Sequence, residues 1–301
     1  MYNPFFSIIL PTYNRANFLF KAINSVIGQT FTDWELIIID DGSTDNTKDI
    51  IESIKEKTTE VNNKIIYIYQ TNQERSVARN NGIVNSKGQY ICFLDSDDYF
   101  LENHLQYLYD EISAHGFPVS FFYALRGFET KEEIKLPPLQ AVKVKNNLEL
   151  IFNIMIATPQ VCIHKDILNK HKFDPKFRIG EDLELWSRII NEYQLININK
   201  HTVISREHDE SSVSYASGNF FIENLKVVRY IFGNKDISSK ISLKQKHISI
   251  SNCFFGIARY YLLNHKRLKA IYNLFISIVY YPLHKQTKYR LNLIIQALIK
   301  K

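Results

Sequence analysis

No aspartate or glutamate follows Asp236 in this chain, although 12 lysines and arginines do. The last 65 residues are therefore uniformly basic, whereas the first 236 carry 25 basic against 31 acidic side chains. The formal charge of +6 conceals a region of −6 joined to a basic one. Cysteine is scarce as well. Cys92, Cys162 and Cys253 are widely spaced, odd in number and set among apolar residues, which argues against a disulfide framework or a cysteine-based zinc site and predicts a reducing, cytoplasmic setting. No uninterrupted apolar run reaches about 18 residues, so no bilayer-spanning helix is expected. No basic-then-apolar leader precedes the first strand, and no signal peptide is expected. The chain also lacks Gly-x-Gly-x-x-Gly after a strand and Gly-x-x-x-x-Gly-Lys-Ser/Thr, which excludes a dinucleotide fingerprint and a P-loop.

What is present centres on Tyr90-Ile91-Cys92-Phe93-Leu94-Asp95-Ser96-Asp97-Asp98, an apolar run that ends in three carboxylates. Such a run reads as a strand buried on both faces, and its C-terminal end is where an open α/β sheet presents ligands. Asp95, Asp97 and Asp98 repel one another there unless a divalent cation or hydrogen-bond donors neutralise them, and hard oxygen ligands suit Mg²⁺ or Mn²⁺. Taken alone, the motif reads sooner as a solvated acidic turn capping a helix from Glu102.

Context favours chemistry. Phe5 to Leu10 predicts a strand stopped by Pro11, and Phe18, Leu19, Ala22, Ile23, Val26 and Ile27 follow at helical spacing. Trp34 to Ile39 predicts a second buried strand ending in Asp40-Asp41-Gly42-Ser43, with Gly42 permitting a tight turn and Ser43 or Thr44 capping the next helix. Ile65 to Tyr69 and Arg75 to Asn85 give a third strand and helix. This alternation predicts an α/β, mostly parallel sheet whose C-terminal edge gathers the loops 11–15, 40–43 and 95–98. Further on, a helix over 102–116, a strand near Val119 to Tyr123, an irregular stretch over 126–147, a strand over 159–165 and one or two strands over 196–205 are expected. Between these lies Gly180-Glu181-Asp182-Leu183-Glu184-Leu185-Trp186, with its carboxylates at a helix N-terminus, where they also favour the helix dipole.

Six segments resemble the inverting family 2 glycosyltransferases of the GT-A fold, in the family's order over roughly residues 5 to 210. They are Ser-Ile-Ile-Leu-Pro-Thr-Tyr-Asn-Arg (7–15), Ser-Val-Ile-Gly-Gln-Thr (25–30), Glu-Leu-Ile-Ile-Ile-Asp-Asp-Gly-Ser-Thr-Asp (35–45), Ser-Val-Ala-Arg-Asn-Asn-Gly-Ile (76–83), Gly-Gln-Tyr-Ile-Cys-Phe-Leu-Asp-Ser-Asp-Asp (88–98) and Gly-Glu-Asp-Leu-Glu-Leu-Trp (180–186). The resemblance implies a catalytic domain over 1–215 and does not cover the basic tail, so residues 216–301 are expected to form a separate basic helical region. It implies a nucleotide pocket from Pro11, Thr12, Tyr13 and Asp41, with Tyr13 against the base and Asp41 accepting from a ring N–H, a contact that favours uracil or thymine over cytosine. It further implies that Arg79 meets the diphosphate, and that Asp95, with Ser96 beside it, holds the ribose or a metal-bound water. Asp97 would ligate Mn²⁺ or Mg²⁺, Asp98 would orient the loop, and His208 would approach the metal or the diphosphate. Asp182 corresponds to the general base, with Glu181 on acceptor or sugar hydroxyls.

The implied reaction is transfer from a nucleotide-diphosphate sugar, UDP-linked, to a hydroxyl of a cell-surface glycan or lipid-linked acceptor. Clustered carboxylates also serve nucleotidyl and phosphoryl transfer, and a nucleotide-sugar binding module without turnover is a further alternative. A basic tail can serve nucleic acid, but no nucleic-acid motif accompanies it. Residues 248–263, 268–281 and 289–299 predict three apolar or amphipathic helices. Their lysines and arginines, interleaved with Tyr260, Tyr261, Tyr272, Tyr280, Tyr281 and Tyr289, fit an anionic membrane surface and a peripheral position on the inner face of the cell membrane.

Overall fold

The computed structural model describes residues 3–138, 144–208, 219–283 and 286–299. They form two compact units, one of Met1–Ala141, Ile156–Arg178 and Glu192–Glu207, the other of Val142–Met155, Ile179–Asn191 and His208–Lys301.

The elements run β1 (Phe6–Thr12), α1 (Ala16–Ile27), β2 (Trp34–Asp40), α2 (Thr47–Lys57), β3 (Ile65–Tyr69), α3 (Glu74–Asn85), β4 (Tyr90–Phe93), β5 (Asp98–Phe100) and α4 (His104–Ala114). There follow β6 (Phe121–Glu129), β7 (Ile134–Lys135), α5 (Asn147–Ile151), β8 (Val161–His164), α6 (Lys165–Lys170), α7 (Glu181–Glu192), β9 (Leu195–Arg206), α8 (Asn219–Gly233), α9 (Lys235–Ser239), α10 (Leu243–Leu263), α11 (Arg267–Tyr280) and α12 (Thr287–Ile299).

In the first unit the strands lie in the order β3-β2-β1-β4-β8-β6-β9-β5, with β7 paired to β6. The expected parallel arrangement holds from β3 to β4. Beyond β4 the sheet is mixed: β8 runs antiparallel to β4 and β6, β9 parallel to β6, and β5 antiparallel to β9. Alternation along β2 sorts its side chains between two layers. Leu36 and Ile38 join Leu19, Ile23, Ile51, Leu105 and Leu108 of α1, α2 and α4 in the main core, while Ile37 and Ile39 meet Ala78 of α3 on the other face. α3 comes so close to the sheet that a Cβ on Gly82 would lie 2.4 Å from Ile9 Cγ2. At the opposite edge Glu35, though buried, accepts from Ser7 Oγ and the Lys87 N–H, both at 2.6 Å, and Ser7 Oγ accepts from the Gly88 N–H at 2.8 Å.

Several expectations change. The helix after Gly42 begins at Thr47, and neither Ser43 nor Thr44 caps it. Those residues instead bind Asn14, Ser43 Oγ accepting from its N–H and the Thr44 N–H donating to its Oδ1, while Asp45 accepts from Thr47 and Ala16. Asp98 opens strand β5 rather than a turn into a helix from Glu102, because its segment pairs with Ser205, Ile204 and Val203. The stretch taken as irregular over 126–147 contains the second half of β6, β7 and the start of α5; residues 139–143 lie outside the described ones. β9 is one strand of 12 residues. Finally, the units do not separate at 215. Phe152 and Leu183 pack with Phe221, Leu225 and Phe254 in one apolar cluster, so the segments around α5 and α7 join the C-terminal helices.

Candidate active site

Parallel register brings the ends of β2, β1 and β4 to one edge. Thr12 lies opposite Asp40, and Ile9 opposite Phe93. The Asp41 N–H donates to Thr12 O at 2.8 Å, and the Leu94 N–H to Ile9 O at 2.9 Å. The loops carrying Pro11 to Tyr13, Asp41 and Asp95 to Asp97 therefore leave the sheet side by side. β1 separates the other two strands, so Asp41 and Asp95 start about two strand spacings apart, roughly 10 Å.

At the β2 end Asp41 is buried, and its Oδ1 accepts from Gln70 Nε2 at 2.7 Å and from the Gln73 N–H at 2.9 Å. Gln70 is itself fixed by Asn81 Nδ2, which donates to its Oε1 at 2.7 Å. Gly42 has φ +87, and a Cβ there would meet the Asn72 nitrogen at 2.9 Å, so the tight turn expected at this residue does need glycine. Next door, Asp40 accepts from Tyr67 Oη and the Ser43 N–H, both at 2.8 Å. Burial, reinforced by the Asp40 carboxylate, raises the Tyr67 hydroxyl above its ordinary range. Tyr13 is 48% exposed and open to stacking, whereas the Thr12 hydroxyl is buried with no hydrogen-bond partner among the described residues.

At the β4 end the buried Arg79 donates from Nη2 to Asp95 Oδ1 at 2.8 Å, with its guanidinium 5.4 Å from the Phe173 ring centroid. Ser96 is buried, and Asp97 is partly exposed. The carbonyl of Asp97 accepts from Arg206 Nε at 2.6 Å, and Arg206 Nη2 reaches Phe18 O at 3.0 Å. Asp98 accepts from Ser205 Oγ at 3.0 Å. Burial first, then the charges of Asp95 and Asp97, push its carboxyl well above the usual carboxylate range against the opposing Ser205 hydrogen bond. A cation would relieve this crowding. Among the described residues no three His, Cys, Asp or Glu side chains are grouped to hold a metal ion. Mg²⁺ and Mn²⁺ sites that act on phosphates, however, commonly use one or two carboxylates and take their remaining ligands from phosphate and water. Asp97, with Asp95 held beside it by Arg79, fits that donor set.

The second unit holds Glu181, Asp182 and His208. Glu181 opens α7 and is buried; Asp182 is partly exposed, with its Oδ1 accepting from the Leu183 N–H at 2.7 Å. Gly180 has φ +75, and a Cβ there would lie 3.2 Å from Val227 Cγ2, so this turn is pressed against α8. Glu184, one turn on, is buried and grips Arg188 Nε and Nη2 at 2.8 and 2.9 Å, which makes it a structural carboxylate. His208 is described, but the segment 209–218 beyond it lies outside the described residues.

Sequence reasoning did not single out Gln70, Asn81, Ser205 or Arg206. Only the basic residue closing a strand, in Ser-Arg-Glu-His, gave a signal. Its partner Asp97 is 109 positions away.

A family model described as "Glycosyl transferase family 2" matches residues 7–168. The minor teichoic acid biosynthesis protein GgaB of Bacillus subtilis is 33% identical over 230 residues, 72% of this chain and 25% of that protein. The chain likewise spans about a third of the length of uncharacterised glycosyltransferases from Rickettsia, 32% and 38% in two of them. In fold it resembles TarS of S. aureus, solved with UDP-GlcNAc, at a TM-score of 0.64 and 19% identity, covering 97% of this chain and 88% of that one. It resembles a mannosyltransferase of Pyrobaculum calidifontis, solved with GDP-Man and Mn²⁺, at a TM-score of 0.62 and 15% identity, covering 100% and 87%. The sheet flanked by helices is thus of the GT-A type.

Proposed function

Because the chain belongs to glycosyl transferase family 2, we propose that it transfers a sugar, with inversion, from a UDP-linked donor to a hydroxyl of a growing cell-surface glycan or lipid-linked acceptor. The observation that carries this reading is the placing of Asp41 and of the Asp95–Asp97 pair on one sheet edge, two strands apart. That separation matches the reach from a nucleobase to its diphosphate. TarS, of like fold, was solved with UDP-GlcNAc, and GgaB is named for teichoic acid biosynthesis; both agree with this donor and this acceptor class.

In this reading Tyr13 stacks on the base, Pro11 and Thr12 line its pocket, and Asp41, oriented by Gln70, accepts the ring N–H. Arg79 holds Asp95 toward the ribose and counters the diphosphate, with Ser96 beside it. A divalent cation, Mn²⁺ or Mg²⁺, held by Asp97 with Asp95 and His208 near, would supply charge neutralisation for the leaving diphosphate. Asp182 takes the proton of the acceptor hydroxyl as that oxygen attacks the anomeric carbon, the C–O bond to the diphosphate breaks and its electrons leave with the nucleotide. Glu181 contacts acceptor or sugar hydroxyls. The basic C-terminal region keeps the enzyme on the inner face of the membrane, where a lipid-linked acceptor resides.

Incubation with a panel of nucleotide sugars and Mn²⁺, with and without acceptor glycans, tests the proposal. Acceptor-stimulated release of UDP is the expected result, and a panel that yields no nucleoside diphosphate from any donor would overturn it.

A further inference from the structure

The helix α11 carries an exposed apolar face besides the one it packs. Its buried face is made of Ala270, Asn273, Leu274 and Ser277, small or polar apart from one leucine, where it packs with α10 and α12. Ile276 and Tyr280 pack at one side against the cluster of Leu225, Val228 and Phe254, but four other large apolar residues face solvent: Leu268 is 84% exposed, Tyr272 64%, Phe275 61% and Val279 62%. At 3.6 residues per turn these four fall within an arc of about 60°, and Arg267 and Lys269 flank that arc at about 100° on either side. Leu283, just beyond the helix, is 85% exposed as well. The solvent-facing side of a surface helix is ordinarily polar, and an apolar stripe of this kind marks a surface that meets something else.

We propose that this face of α11 lies in the headgroup region of an anionic bilayer and inserts Leu268, Tyr272, Phe275 and Val279. The proposal rests on the membrane-facing reading of the C-terminal region and names the element that makes the contact. Length fixes the mode: 14 residues span about 21 Å at 1.5 Å per residue, short of a hydrocarbon core of about 30 Å, so the helix lies along the surface rather than across it. Charge selects the occupant. The region after Asp236 contains 12 lysines and arginines and no aspartate or glutamate. A second copy docked on the same face would set cations against cations, whereas anionic headgroups complement them. Arg290 takes no part, because it is buried and bound to Ser251 Oγ and Asn252 Oδ1 at 2.6 and 3.0 Å.

The test uses the full chain carrying Phe275→Trp. The two native tryptophans, Trp34 and Trp186, are only 2% and 1% exposed, so the introduced indole reports alone on contact with lipid. A blue shift in its emission, with quenching by brominated acyl chains, is expected with phosphatidylglycerol-containing vesicles at low salt and not with phosphatidylcholine vesicles. The triple variant Leu268→Ser/Phe275→Ser/Val279→Ser, with its fold checked by circular dichroism, should bind the anionic vesicles about 10-fold more weakly or worse, with nucleoside diphosphate release unchanged. Anionic binding with no blue shift and full binding by the triple variant would overturn the assignment to α11 while sparing the membrane reading. Binding to neither vesicle type would overturn both. Self-association of the wild-type chain that the triple variant abolishes would give the face to a second copy and overturn the proposal.

Discussion

Arg206 holds the main chain of Asp97: its Nε donates to the Asp97 carbonyl at 2.6 Å, and its Nη2 ties the same guanidinium to Phe18 of α1 at 3.0 Å. A proposed metal ligand is thus fixed through its backbone by the strand that ends the first unit. Arg206→Ala should weaken donor binding in the presence of Mn²⁺ by about 10-fold or more, the usual worth of a charged hydrogen bond. Calorimetric titration with UDP checks this, and unchanged affinity would show that the Asp97 loop holds its shape unaided.

Asp97→Ala should abolish the part of donor affinity that depends on metal, because the diphosphate then loses the cation that neutralises it. EDTA should reproduce the loss in the wild-type protein and change nothing in the variant. Equal sensitivity to EDTA in both proteins would move the ligand elsewhere.

Asp182→Asn should keep the fold and donor affinity and lose transfer, since the amide preserves shape but cannot take the acceptor proton. The loss should fall on kcat, by about 100-fold or more. Steady-state kinetics decides, and near-normal turnover would turn attention to Glu181.

His104 is buried, with Nδ1 2.7 Å from Thr202 Oγ1 and its ring 3.9 Å from that of Phe100. Burial lowers its pKa from 6.5 to about 3. Between those values the unfolded chain binds a proton that the folded one refuses. The stabilisation is therefore fully present above the unfolded value and is lost as pH falls toward the folded one, at about 1.4 kcal/mol per pH unit. Urea unfolding near pH 7.5 and near pH 5.5 should show a drop that His104→Phe reduces by roughly 1.4 kcal/mol. Identical drops in the two proteins would assign the pH dependence to other groups.

Gly82→Ala should destabilise the first unit by about 1–3 kcal/mol, the cost of overpacking, because the new methyl meets the Ile9 side chain at 2.4 Å. In an Ile9→Ala background, which is itself destabilised by the cavity, Gly82→Ala should cost less than it does in the wild-type chain. Thermal melts of the single and double variants measure it.

Much of this was legible from residue order, and what was not has physical causes. β1, β2 and β4 are buried on both faces, so Ile8 to Leu10, Leu36 to Ile39 and Tyr90 to Phe93 appear as unbroken apolar runs whose ends had to carry the loops. The second half of β6 hid because, from Leu125 on, its residues are mostly half-buried, and Arg126 and Glu129 broke the pattern. Arg206 with Asp97, and Gln70 with Asp41, are contacts between segments far apart in the chain, and no local spacing encodes them. The tail was legible as helices but not as to orientation. Composition shows that α11 has an apolar face, while only packing shows that Ala270 and Ser277, rather than Phe275 and Val279, are the residues turned inward.

Among the described residues the sheet ends on one side at β3, a five-residue strand, Ile65-Ile66-Tyr67-Ile68-Tyr69, that pairs only with β2. Its outer rim has no strand partner among the described residues, in a segment that has high β-propensity and carries neither charge nor proline, which is the make-up of a template for strand addition. Lys64 stands at its entrance as the one charged gatekeeper among its immediate neighbours. Colloidal behaviour should follow from this rim: light scattering at high protein concentration should fall when Tyr69, the 60% exposed residue of β3, is replaced by lysine.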